Sequence, residues 1–249
     1  MVVQCSGDAL LSKIRVIDVT GSTNSDMLGD PNAVEGDWLV ARRQDAGRGR
    51  QGREWQSLDG NFFGSTLVQL KDSDPPSSSL SLIAGLALRD AIEVAAPHAD
   101  TLLKWPNDLL LGGAKAAGIL LERAGDRVVV GFGVNLAVAP DIEGRDTASF
   151  ADVVQMAPQA FAPLLAGAFA RLLAAWRSSG AAATAMAWLQ RSHPIGTVLR
   201  VHDGDRQVRE GYFAGIEDDG ALRLKVGDTV ETIHAGDVSV VDSPIQGKR

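Results

Sequence analysis

Arg42 to Arg53, read as RRQDAGRGRQGR, places five arginines in twelve residues with only Asp45 to oppose them. The interleaved glycines let the backbone approach a ligand closely and let amide hydrogens converge on anionic oxygens. Arginine adds a planar fork suited to phosphate or carboxylate. The segment therefore fits a compact anion, though a solvated loop or an RGG-like nucleic-acid contact has the same composition. Trp55, just beyond it, is either a core residue or a platform for a planar base. A second group is Lys104-Trp105-Pro106-Asn107-Asp108, where a strand delivers a lysine and a proline turn presents an amide and a carboxylate. Lys115, in Ala-Lys-Ala-Ala-Gly-Ile-Leu-Leu, is a lone charge among small and apolar residues. It either snorkels at an edge or faces a buried anion.

Other chemistries lack their residues. There is no Gly-x-x-x-x-Gly-Lys-Ser/Thr phosphate loop and no Gly-x-Ser-x-Gly turn. His98, His193, His202 and His234 are dispersed, so zinc-ligand spacing is missing. The single cysteine, Cys5, lies outside every dense motif, which leaves a covalent acyl-enzyme without support and fits a reducing compartment.

The elements that must hold these groups follow from periodicity. Residues 14–19, 38–41 and 62–70 read as strands, with Gly21-Ser22-Thr23-Asn24 a turn entering a short helix. A loop over 72–79 leads to a helix from about Leu80 to Ala96, which carries Leu82, Leu86, Ile92 and Val94 and stops at Pro97. Strands are expected at 101–105, 108–111, 116–122 and 127–134, with tight turns at Gly112-Gly113 and Gly125-Asp126. Helices follow at about 158–177 and 181–192. In the first, Phe161, Leu164, Leu165, Ala168, Leu172 and Trp176 recur at core spacing. Beyond His193-Pro194 come the short strands 198–201, 212–216, 222–226 and 238–241, punctuated by Asp203-Gly204, Asp219-Gly220 and Gly227-Asp228. The 249 residues thus divide near 194 into a mixed α+β unit, 1–194, and a small β unit with a polar tail, 195–249. The formal charge of −7 argues against broad DNA or membrane-surface binding, and the N-terminus lacks signal-peptide features. The apolar run Ala160 to Ala170 falls short of the roughly 20 residues a bilayer needs. A cytoplasmic protein is expected.

Five motifs in order resemble those of the biotin–protein ligases. They are Gly21-Ser22-Thr23-Asn24, the run Gln44 to Trp55, Lys104 to Asp108, Ala114 to Leu120, and Gly131-Phe132-Gly133-Val134-Asn135-Leu136. The resemblance implies a mixed sheet flanked by helices, related to class II aminoacyl-tRNA synthetase cores, with a C-terminal SH3-like β-barrel. It also implies an activity: joining biotin to ATP as biotinyl-5′-AMP, releasing pyrophosphate, and passing biotin to one lysine of a biotin carboxyl carrier domain. By that resemblance Ser22, Thr23 and Gln44 hold the ureido ring, with Asn24 in support. Arg48, Gly49 and Arg50 close over the carboxylate and α-phosphate, and Arg53 helps on the phosphates. Trp55 stacks on adenine. Asn107, Asp108 and Asn135 line the nucleotide side, with Lys104 nearby. Lys115, and with it Arg50, is catalytic. Mg²⁺ comes with ATP and has no assigned protein ligand, Asp108 being the best candidate.

Members often have a basic residue before the catalytic lysine and a larger apolar one after it, where this chain has Ala114 and Ala116. A basic residue often follows the last strand, where Val241 stands here. Some members carry an N-terminal DNA-binding helix-turn-helix of roughly 60 residues. With about 13 residues before the first expected strand, this chain reads as the form without it. A monomer and a sheet-paired homodimer both remain open. A lipoate–protein ligase shares the architecture, and the Gly-Arg-Gly-Arg-Gln-Gly-Arg-Glu-Trp run favours biotin over it.

Overall fold

The computed structural model describes residues 2–3, 13–202 and 208–241. Cys5, the Asp203-Gly204 turn and the polar tail from 242 lie outside them.

An eight-stranded mixed sheet carries the larger unit. Its strands are β1 (Val2–Val3), β2 (Ile14–Thr20), β3 (Trp38–Gln44), β4 (Phe62–Gln69), β5 (Thr101–Lys104), β6 (Asp108–Leu111), β7 (Ala114–Ala124) and β8 (Arg127–Val134). They run in the order β1-β2-β3-β4-β8-β7-β6-β5, with β2 and β3 parallel and every other neighbour antiparallel. The two-residue turns fall at Gly112-Gly113 and Gly125-Asp126 as expected, both pairs opening with a glycine at positive φ. β1 has no counterpart in the sequence reading: its two residues pair antiparallel with Arg15 and Ile14, so the chain enters the sheet at its second residue.

Alternation along the central strands separates the two faces. Trp38, Val40, Phe62, Val128, Val130 and Phe132 belong to the main core under the helices α2 (Leu80–Ala95) and α3 (Pro158–Leu189). Phe132 stacks on Trp38 at 5.6 Å, and Phe169 of α3 meets both rings edge-on. On the other face Leu39, Leu67 and Val129 pack against Met27 of α1 (Thr23–Gly29). Further along β8 that second face becomes Gly131 and Gly133, where the strand offers no side chain.

The two helices read at 158–177 and 181–192 form one run, α3, broken where Gly180 takes φ 82° and ψ 173°. Length and apolarity alone would let α3 cross a bilayer. Instead Phe161, Leu165, Ala168, Phe169 and Trp176 are buried in the core, facing α2 and the sheet. Val94, expected among the apolar positions of α2, is exposed.

The remaining described strands, β9 (Val198–His202), β10 (Val208–Ile216), β11 (Leu222–Val226), β12 (Thr229–Ile233) and β13 (Asp237–Val240), make a second, antiparallel sheet ordered β12-β11-β10-β9-β13. β12 escapes sequence reading because it is mostly exposed and polar, with only Ile233 buried. The second sheet is anchored on the first unit. Trp105 Nε1 donates to Gly220 O at 2.9 Å, and Ser78 Oγ to Asp219 O at 2.6 Å. Leu199, Val201, Phe213 and Leu222 continue the main core.

Candidate active site

A cleft of about 910 Å³ opens on the α1 face of the large sheet and is closed at one end by β13. All fourteen residues anticipated for the site line it, from Ser22, Thr23, Asn24 and Gln44 through the arginine loop and Trp55 to Lys104, Asn107, Asp108, Lys115 and Asn135. Residues 113 positions apart in the chain therefore share one cavity.

One end is a buried hydrogen-bond network. Ser22 caps α1, its Oγ accepting from Ser25 N at 3.4 Å. The Thr23 amide and hydroxyl both donate to Gln44 Oε1, at 2.8 and 3.0 Å. Asn24 is pinned on two sides. Its amide nitrogen donates to Glu122 Oε2 at 2.9 Å and Leu120 O at 3.2 Å, while Oδ1 faces Ser65 Oγ at 2.6 Å. Ser65, wholly buried, also touches Thr23 Oγ1 at 2.7 Å. Such a network can read a small polar ring because its own groups are already oriented. Its floor is Gly131: a methyl group there would lie 2.8 Å from Asn24 Cγ.

The arginine loop crosses the middle of the cleft. Gly49 N donates to Arg53 O at 2.7 Å and Trp55 N to Gly47 O at 2.9 Å, which folds the loop on itself. Arg48 is held from the α1 side, and Arg50 and Arg53 from the start of β13. Arg48 reaches Ser25 Oγ at 2.7 Å and Glu122 Oε1 at 3.3 Å. Arg50 donates to Gly236 O at 3.2 Å. Arg53 pairs with Asp237 and with Gln51 Oε1. Burial holds Arg50 below the usual guanidinium range, partly offset by Asp237 and Asp108. The hydrogen bond between Arg53 and Asp237 lowers the carboxyl and raises the guanidinium. The second sheet thus reaches the cleft through Gly236 and Asp237 to Val240, and Val241 takes no part in the lining.

Trp55 lies flat over bare strand. A methyl group at Gly133 would come within 2.6 Å of the Trp55 Nε1 and Cζ2 atoms, and one at Gly118 within 2.9 Å of Cζ3. Lys115 Nζ stands 5.6 Å from the centroid of that ring and 2.6 Å from Asp108 Oδ1. Asn107 is locked to β7 through Ile119 O at 2.6 Å, and Asn135 to the loop after β8 through Ala148 O at 3.0 Å. Burial lowers the Lys104 pKa, and Asp108 acts against that shift. Burial, then Lys104, lowers His193. Among the described residues no three of His, Cys, Asp and Glu come together as metal ligands.

Sequence reading missed Ser65, Glu122, Arg145, His193 and Asp237 at or around the cleft. None belongs to a dense motif.

The cation-lined cleft lies on a mixed sheet and is closed at one end by a small antiparallel sheet, and the chain belongs to the biotin/lipoate A/B protein ligase family. The model of that family matches residues 14–137. Within the family the chain is a biotin protein ligase: residues 198–241 match the biotin protein ligase C-terminal domain. It is 40% identical over 233 residues to the biotin–[acetyl-CoA-carboxylase] ligase of Paracoccus denitrificans, covering 88% of this chain and 97% of that one. The enzyme of the same name from Mycobacterium tuberculosis is 37% identical over 236 residues, covering 91% and 88%. In fold it is similar to the biotin protein ligase from Aquifex aeolicus in complex with biotin and ATP, with a TM-score of 0.81 at 22% identity over 92% of this chain and 99% of that one.

Proposed function

We propose that the protein activates biotin as biotinyl-5′-AMP and transfers it to one lysine of a biotin carboxyl carrier domain, in the cytoplasm. Residues 1–194 act as the catalytic unit and 195–249 as its cap. The observation that carries this reading is the position of Lys115, between the arginine loop, Trp55 and Asp108. A carboxylate and an α-phosphate repel each other, and joining them needs fixed cations and amides where charge concentrates.

The carboxylate oxygen attacks the α-phosphorus and pyrophosphate departs. The acceptor amine then attacks the acyl carbon, loses its proton, and AMP departs. Neither step needs a nucleophile from the enzyme. In this reading the Thr23–Gln44 pair and Ser22 bind the ureido ring, with Asn24 in support. Gly49, Arg48 and Arg50 cover the carboxylate and α-phosphate, and Arg53 assists. Trp55 stacks on adenine, with Asn107, Asp108, Asn135 and Lys104 on the nucleotide side. Mg²⁺ would come with ATP, whose phosphates and water would supply most of its ligands. The names of the Paracoccus and Mycobacterium relatives support acetyl-CoA carboxylase as the source of the acceptor. The Aquifex enzyme, solved in complex with biotin and ATP, supports those two molecules as the ligands of the cleft.

The test is ATP–pyrophosphate exchange with biotin and lipoate side by side. Exchange with biotin is expected. Exchange with lipoate alone would overturn the ligand assignment.

A further inference from the structure

Four of the cleft's cations already have partners: Arg48 with Glu122, Arg50 with Gly236 O, Arg53 with Asp237 and Lys115 with Asp108. Two differ. Among the described residues, neither the Lys104 ammonium nor the Arg145 guanidinium has a hydrogen bond or an ion pair, though both face the cleft. Leaving Lys104 half-buried with no carboxylate paired to it is costly unless an anion arrives.

Arg145 is not on a loose loop. Lys115 N donates to Asp146 O and Ala148 N to Lys115 O, both at 2.9 Å, so the segment after β8 forms a rung against β7 at the lysine itself. Arg145 N closes a tight turn onto Ile142 O at 3.1 Å, and Thr147 Oγ1 donates to Pro140 O at 2.5 Å. The guanidinium therefore projects from a backbone fixed one residue before that rung. Arg145 lines the cleft together with Lys104 and Asp237, and its charge is felt at both. Lys104 also feels the charges of Asp108, Lys115 and Asp237 and acts in turn on His193.

We propose that Arg145, with Lys104, seats the β- and γ-phosphates of ATP and holds pyrophosphate as it leaves. This rests on the ligase reading above. As the carboxylate oxygen bonds to the α-phosphorus, the bond from that phosphorus to the α–β bridging oxygen breaks. The oxygen leaves with the electron pair, so negative charge grows on pyrophosphate and no proton is required. Two unpaired cations beside Lys115 stand where that charge develops, and a bidentate guanidinium matches a phosphate edge.

The test compares wild type, Arg145→Ala and Arg145→Lys by direct binding of inorganic pyrophosphate, ATP and AMP to the full chain. The substituted side chain is exposed, so the fold is expected to survive, and thermal unfolding checks this. Losing one charge-assisted contact should weaken pyrophosphate and ATP by about tenfold while AMP binding stays unchanged, with partial recovery in Arg145→Lys. Equal pyrophosphate affinity in wild type and Arg145→Ala would overturn the assignment. So would an equal loss for AMP, or a loss confined to the KM for the acceptor protein. If pyrophosphate weakens as expected but no variant supports biotin-dependent exchange, the phosphate seat stands and the biotin reading falls.

Discussion

Gly131→Ala tests whether the bare patch of β8 sets the geometry of the polar end of the cleft. The added methyl would stand 2.8 Å from Asn24 Cγ and 3.0 Å from Nδ2, and closer still to Oδ1. Ordinary contact begins near 3.4 Å, so the amide must withdraw by at least about 0.6 Å. It has nowhere to go cheaply, because Ser65, Glu122 and Leu120 O hold it at 2.6, 2.9 and 3.2 Å. Such a shift stretches the buried Ser65 contact and strains the Glu122 bond, at about 1 kcal/mol each, in addition to about 1–3 kcal/mol for overpacking. Destabilisation of about 3–5 kcal/mol is expected, read as a lower urea midpoint with unchanged m-value. Because Thr23 and Ser22 share the turn, biotin affinity should fall at least about tenfold while ATP affinity holds. Adding Asn24→Ala to Gly131→Ala removes the clash, so the pair should cost clearly less than the sum of the two single substitutions. An unfolding free energy within about 0.5 kcal/mol of wild type, together with unchanged biotin affinity, would refute the reasoning.

Lys115→Ala should abolish single-turnover formation of the adenylate with an unchanged circular dichroism spectrum, since the lysine is only partly buried; a near-normal rate removes its role. Asp237→Asn breaks the Arg53 pair. Each partner is about one-third exposed (38% and 34%), so global stability should drop by at most about 1 kcal/mol. Trypsin, however, should cut after Arg48, Arg50 or Arg53 several times faster, and an unchanged rate denies the clasp. Arg177→Ala strands Glu35 and the nearly buried Asp74, which the guanidinium binds at 2.7–3.1 Å, and should cost about 3 kcal/mol at neutral pH. Arg177 holds the Glu35 carboxyl below its usual range, so this contribution is present above the unfolded pKa of about 4.3 and is lost as pH falls through the lower folded value. Urea midpoints of the two proteins should therefore converge below about pH 4; a constant gap across that range would be inconsistent with the ion pair.

Much of the fold is legible in the sequence because its signals are local. Loose alternation marks β4, glycine pairs mark the hairpins, and Pro97 marks the end of α2. The cleft is legible where its residues are contiguous, as in Arg48 to Trp55 or Lys104 to Asp108. It is opaque where one residue works across the chain. Ser65 is a hydroxyl inside an apolar strand and gains its meaning only from Thr23 and Asn24, some forty positions earlier. Asp237 looks like any acidic residue opening a short strand until Arg53 is seen against it. Arg145 belongs to a loop whose shape is imposed by hydrogen bonds to Lys115, and no local pattern encodes those. β12 lacks the apolar alternation that reveals a strand, since nearly all of it faces water.

The hold of β13 on the arginine loop has a consequence for synthesis. Arg50 and the carbonyl of Gly236 are 186 positions apart, and Arg53 and Asp237 are 184. At typical elongation rates the loop leaves the ribosome on the order of ten to forty seconds before its anchor is made. Throughout that interval two cations of the cleft lack the contacts that orient them. The chain becomes competent late, when one of its last strands docks, and a translation product that stops short of β13 would carry every motif residue up to Asn135 without the assembled site.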